Sequence, residues 1–196
     1  MATKYDFSDV REHLVEDLKG AYPTRWEDFE NAKVLGEDVF GSPKPHPNAV
    51  LNLFLEQSIK FALPFAAYRA SLGGFPSLVS NKPGTVLPRP TLTSITYGTG
   101  AIKRTMAIAA HTICTVRLGV CVEKVCALKA GIDVLKIFDV MLPRIEGDAL
   151  SPLSFGTVVC TDCAKRLEKI HLSFRKRFAW TLLPKLLGFR ESWEGV

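Results

Sequence analysis

Apolar residues recur along this chain at spacings of three and four, the period at which side chains return to one face of an α-helix. Phe7, Val10, Leu14 and Leu18 form the first such stripe. Asp9 stands near its start as an N-cap, Glu12 follows three residues on, and Gly20 sits where the helix would stop. Pro23 forbids continuation, and Thr24 with Glu27 makes a second capping box ahead of Trp26 and Phe29. Residues 1–35 are therefore predicted to hold a helical hairpin.

Residues 36–48 carry three closely spaced prolines and read as a loop. Asn48 is the expected cap of an apolar helix from Ala49 onward, which Pro64 should kink or end. A second loop is predicted over 73–90, where four prolines and three glycines interrupt the pattern. Ile102, Met106, Ala109, Ile113 and Val116 form the next stripe, with Gly119 beyond it. Shorter helices are predicted at 122–129 and 132–142, the latter stopped by Pro143. Cys160, Cys163, Leu167, Ile170, Phe174 and Phe178 mark a long final helix; Pro184 interrupts the tail and Gly188 ends it. No stretch alternates with period two. The expected class is all-α, an irregular bundle of about six to eight helices, with a helical domain over 46–190 forming one structural unit with the hairpin.

Composition agrees with a folded chain. At 196 residues, 47% hydrophobic and 23% charged, it has the means to bury a core, which excludes wholesale disorder. The most apolar stretch, 49–68, contains Glu56, Gln57, Lys60 and Pro64, so it reads as a buried helix rather than a membrane span. The first residues lack an apolar run behind a basic start, and with five cysteines the expected setting is cytoplasmic or nuclear with reduced thiols. The net charge is +5 but uneven: residues 1–50 hold ten acids and six bases, residues 151–196 eight bases and four acids.

Candidate chemistry is sparse. Cys160 and Cys163 have the spacing of half a zinc site, with His171, Cys114, Cys121 or Cys126 as conceivable completing ligands. On one continuous helix, however, Cys160 and His171 are separated by eleven rises of 1.5 Å, about 16 Å, too far for one ion. Both cysteines also lie on the apolar stripe, where Cys packs as a small hydrophobe. No metal is therefore favoured. A redox role for the pair calls for a strand leading into the helix, and only Val158-Val159 resembles one. The segment Gly98–Thr105 has glycine, lysine and threonine but lacks the phosphate-loop spacing. No serine, histidine and acid form a nucleophile pattern, so no catalytic residue and no cofactor are expected. Lys165, Arg166, Lys169, Arg175, Lys176 and Arg177 read as a solvated basic face rather than a nucleic-acid groove.

Three stretches together resemble a known family: Lys4-Tyr5-Asp6 through Tyr22-Pro23-Thr24; Asn52-Leu53 through Leu63-Pro64-Phe65-Ala66-Ala67-Tyr68; and Cys160-x-x-Cys163 through the basic run to Arg177, Trp180, Leu183-Pro184 and Trp193-Glu194. Their order and spacing are similar to the region that follows the BTB/POZ domain in BTB-domain proteins of basidiomycete fungi. The BTB module itself is absent, so the dimerisation and cullin-ligase recruitment associated with it do not carry over. What the resemblance implies is a non-enzymatic protein-interaction or scaffolding module with protein partners and no small-molecule substrate. The expected contact surface is the proline-rich loops or the aromatic residues near the C-terminus, Trp180, Phe189 and Trp193, on the enrichment of aromatics among interface anchors. The alternative is a small zinc-binding regulatory module using Cys160 and Cys163, associated with nucleic acid through its basic last helix.

Overall fold

The structure of the chain is a computed structural model that describes residues 8–22, 26, 45–115, 139–142, 147–157 and 159–189. It is all-α, as expected. The α-helices are α1 (Ser8–Ala21), α2 (Pro47–Glu56), α3 (Leu63–Leu72), α4 (Gly74–Leu78), α5 (Arg89–Thr115), α6 (Thr161–Arg177) and α7 (Leu183–Leu186). A 3-10 turn spans Lys60–Ala62 and a π-helical turn spans Phe178–Leu182; there is no strand among the described residues. The expected loop over 36–44, the helix at 122–129 and most of that at 132–142 lie outside the described residues. Residues 139–142 are helical. No helix among the described residues is long and apolar enough to cross a membrane.

The chain divides into two compact units, Met1–Tyr97 with Leu183–Val196, and Gly98–Leu182. In the first, α3 is buried almost all round: Pro64, Phe65, Ala66, Ala67, Tyr68 and Ala70 all lie in the interior. Helices α2, α4 and α7 pack against it, and its alanines let their backbones come close. Tyr22, one residue beyond α1, meets Phe54 of α2 edge-on at 4.9 Å between ring centroids, and Phe65 at 6.1 Å. Edge-to-face pairs of this kind contribute about 0.5–1.5 kcal/mol each beyond their buried area. This anchor turns Val15, Leu18 and Tyr22 inward and corrects the expected stripe, since Leu14 is 53% exposed. Asp9 likewise lies inside α1 rather than ahead of it. Of the expected second arm of the hairpin only Trp26 is described, helical and buried.

The helix begun near Asn48 ends well before Pro64. Its last turn closes with Ser58 at φ +56, where the Ile59 N–H donates to Phe54 O and the Ser58 N–H to Leu55 O. That paired 6→1 and 5→2 pattern is a Schellman motif with serine in the place glycine usually takes. Pro64 then sits in the first turn of α3, where its missing N–H removes no helical bond.

The cap is a second correction. His46 is the N-cap of α2: its Nδ1 accepts from the Asn48 N–H at 3.2 Å, and Pro47 opens the helix. Asn48 lies within the first turn, fully buried, with its side chain turned to the end of α4 and the segment after it. Its Nδ2 donates to Ser77 O at 3.0 Å, Leu78 O at 3.2 Å and Thr85 O at 3.1 Å. One turn on, Asn52 Nδ2 donates to Gly84 O at 3.1 Å and Val86 O at 2.9 Å. Two amides four residues apart on one helix face thus hold the stretch predicted as a loop over 73–90. That stretch contains α4 and a turn in which Thr85 N–H donates to Lys82 O, with Pro83 and Gly84 (φ +74) in its middle. The Pro-Gly order and positive φ are those of a type II turn. Thr85 Oγ1 adds bonds to Ser80 Oγ and Lys82 O, both at 2.8 Å.

At the chain's end, Pro184 cannot donate an N–H and its ring would crowd the carbonyl four residues back. The π-helical turn at Phe178–Leu182 widens the helix just before it. After α7 a second Schellman motif follows: Gly188 N–H donates to Lys185 O and Phe189 N–H to Pro184 O. Glycine is favoured at 188 by its φ of +86, and a Cβ there would press on Ser94, 3.0 Å from its Oγ and 3.1 Å from its Cβ.

In the second unit Ala110 and Ile113 of α5, Met141, Phe155, Val159, and Cys163, Ala164 and Leu167 of α6 form one core cluster. Of the stripe predicted for α5, Ile102, Met106, Ala109 and Ile113 are all buried, and Val116 lies outside the described residues.

Two outcomes test this account of the first unit. Asn48→Asp keeps the shape but sets an oxygen against three carbonyls, so it should lower unfolding stability by roughly 3 kcal/mol, read from the urea midpoint. It should also open residues 77–86 to proteolysis. Burial pushes the Tyr22 phenol up to about 12 from 10.0, with the Arg69 charge opposing. Because the folded pKa is the higher one, its contribution is complete below pH 10 and lost as pH rises toward 12. Tyr22→Phe should flatten that alkaline loss of stability in a melt series.

Candidate functional site

Helix α6 carries most of the residues singled out by sequence. Cys160 is its N-cap, with extended backbone (φ −65, ψ 161), and its carbonyl accepts the first helical bond from the Ala164 N–H at 2.8 Å. Cys163 lies in the first turn and is buried in the core cluster, and Cys160 packs half-buried against the same cluster. Neither is joined in a disulfide. His171 sits a little over two turns beyond Cys163 on the same helix, edge-on to Phe155 at 6.5 Å between ring centroids. The helix thus separates the pair from this histidine as its periodicity implied. Among the described residues no three His, Cys, Asp or Glu side chains are gathered where a metal ion could be held. Cys121 and Cys126, the ligands a zinc site across the fold would need, lie outside those residues.

The buried line of α6 runs Cys163, Leu167, His171, Arg175, a strict spacing of four, with Phe178 beyond it. Ile170 and Phe174, expected in the stripe, are only half-buried at its margin. Arg175 corrects the basic-face reading: it is 7% exposed and its Nε donates to Leu150 O at 2.7 Å. Glu168 Oε1 accepts from the Phe155 N–H and the Ser154 hydroxyl, both at 3.2 Å. Asp148 closes a local turn, taking the Leu150 N–H on Oδ1 at 2.9 Å and the Ser151 hydroxyl on Oδ2 at 2.8 Å. Arginine and glutamate of α6 therefore hold the irregular segment 148–155 at its two ends. The remaining cations of the run, Lys165, Arg166, Lys169, Lys176 and Arg177, are exposed.

The glycine-rich segment Gly98–Thr105 lies in the middle of α5, with its Thr105 hydroxyl bonded to Ala101 O at 2.8 Å. Helical hydrogen bonding engages the backbone N–H groups that a phosphate loop would present.

Of the expected contact residues, Phe189 is half-buried and its N–H is fixed on Pro184 O at 2.6 Å, so it serves the closure of α7. The side chain of Trp180 and the whole of Trp193 lie outside the described residues. In the proline-rich stretch 73–90, the other expected contact place, sequence reasoning singles out no residue, and the structure exposes an apolar set there. Phe75 (59% exposed), Val79 and Val86 (60% exposed) stand on the segment held by Asn48 and Asn52, and Leu53 is exposed on α2 beside Asn52. The available signal was the pairing of hydrophobic residues with proline and glycine in a stretch too long to be a plain connector.

The buried arginine makes a checkable contrast. Arg175→Met keeps the aliphatic stem but leaves Leu150 O without its donor, and should cost about 1–3 kcal/mol in a denaturant titration. Lys169→Met, on the exposed face, should change stability by no more than about 0.5 kcal/mol.

Against this geometry, comparison of the chain with protein-family models, with curated proteins and with solved structures gives no match in any of the three.

Proposed function

We propose that the chain is a non-enzymatic protein-interaction module, the helical tail of a BTB-type adaptor of fungal kind, working in the cytoplasm or nucleus. The observation that carries this reading is the apolar set on the stitched segment. Phe75, Val79, Val86 and Leu53 expose large hydrophobic side chains, while the backbone that bears three of them is tied to α2 through five side-chain hydrogen bonds. Apolar residues on a preformed frame lose little conformational entropy on binding, which favours a protein partner with an apolar contact of its own. The ordered backbone of the same segment, buried at Leu78, Thr85 and Leu87, gives those side chains a fixed spacing. The resemblance to the region after the BTB domain supplies the adaptor class.

Phe75→Ser with Val86→Ser is the test. Both positions are exposed, so helicity and melting temperature should match the parent chain within about 0.5 kcal/mol of stability. Partners captured by the parent chain from a fungal extract, identified by mass spectrometry, should be lost, with affinity for a purified partner falling about thirtyfold, near 2 kcal/mol. An unchanged partner set would overturn this surface. Loss on Trp193→Ala with the double variant still competent would move the contact to the C-terminal aromatics.

A further inference from the structure

The Cys160–Cys163 pair is left unused by the interaction reading, and its geometry is more specific than the spacing alone. An N-cap side chain points back toward the backbone of the third helical residue, the relation on which side-chain capping depends. Cys160 and Cys163 are that N-cap and that third residue. By helix geometry, positions three apart have Cα atoms about 5 Å from each other. Disulfides form over Cα separations of roughly 4.4–6.8 Å. Both sulfur-bearing side chains pack against one core cluster, so they share a face of α6. They differ in burial: Cys160 is half-buried at the margin of the cluster and Cys163 is buried within it. A cysteine nearer the surface, with a second sheltered beside it, is the arrangement of an attacking and a resolving cysteine. No strand is needed for it; the helix start alone sets the relation.

We infer that Cys160 and Cys163 form a dithiol site that closes reversibly to an intramolecular disulfide by exchange with a small-molecule disulfide of the glutathione type. Cys160 loses its proton to solvent and its sulfur attacks one sulfur of oxidised glutathione, releasing one glutathione thiolate. Cys163, deprotonated in turn, attacks the Cys160 sulfur of the mixed disulfide, and the second glutathione leaves. The dithiol has given up two electrons and two protons, and oxidised glutathione has become two thiols. Closure withdraws the Cys160 thiol from other reagents and fastens the helix cap to a residue of the core.

The experiment equilibrates the full chain with reduced and oxidised glutathione, quenches with acid and an alkylating agent, and maps every cysteine by peptide mass spectrometry. The expected product is a 160–163 disulfide with no glutathione retained. Because two glutathione thiols are released per bond, tenfold dilution of the buffer at a fixed ratio of its two forms should raise the oxidised-to-reduced ratio about tenfold. A mixed disulfide would not respond to dilution and would overturn the inference. Cys163→Ala, which keeps the buried position apolar, should leave glutathione on Cys160; Cys160→Ser, a good N-cap, should leave Cys163 unmodified. Persistence of both thiols throughout, a bond from either to Cys114, Cys121 or Cys126, or ready modification of Cys163 in the Cys160→Ser chain would each overturn it.

Discussion

The constraint on which the first unit turns is the satisfaction of carbonyl groups left without helical partners at the end of α4 and in the segment after it. A helix pairs its own backbone, but an irregular segment laid against a core buries carbonyls that water cannot reach. The chain meets this with amides. Asn48 offers two N–H bonds to three carbonyls between 3.0 and 3.2 Å away, so the donors are shared and the amide can face only one way. Reversing it would bring oxygen against oxygen at all three. Its own Oδ1 is buried with no hydrogen-bond partner among the described residues. The three acceptors it serves outweigh that one deficit. The second unit answers the same need with charge: Arg175 supplies a donor for the Leu150 carbonyl, and Glu168 supplies an acceptor for the Phe155 N–H. In both units helix side chains hold a segment that has no ladder of its own.

This explains which parts of the fold are legible from sequence. Periodicity reports faces, and it finds the all-α class, the buried stripe of α5 and the helical run from Cys163 to Phe178. It reports nothing about partners distant in sequence. Asn48 precedes an apolar run and has the chemistry of a cap, yet His46 takes that place and frees the amide for carbonyls 29 to 37 residues away. Arg175 sits in a run of cations and looks solvated, while a carbonyl 25 residues earlier draws it inward. The prolines and glycines of 73–90 signal a break in periodicity correctly. That the break is stitched down is decided at α2, outside the segment.

The same logic bears on the exposed apolar residues. Single exposed hydrophobics are common on folded proteins and by themselves say little. Phe75, Val79 and Val86 differ because the backbone between them has its polar groups bound to Asn48 and Asn52 and its inward residues, Leu78, Thr85 and Leu87, buried. Burial of one side fixes the orientation of the other. The backbone N–H of the C-terminal aromatic Phe189 closes α7 on Pro184 O.

That closure in turn governs α3. A helix buried on nearly every side needs neighbours on every side, and α7 is one of the three that cover it. Leu183 and Leu187 are fully buried, and Gly188 brings the backbone close against Ser94. The widened turn ahead of Pro184 is what lets the chain enter α7 without a clash at the proline. A proline that looks, in sequence, like an interruption of the tail therefore marks the place where the last helix re-enters the first unit and becomes part of its interior.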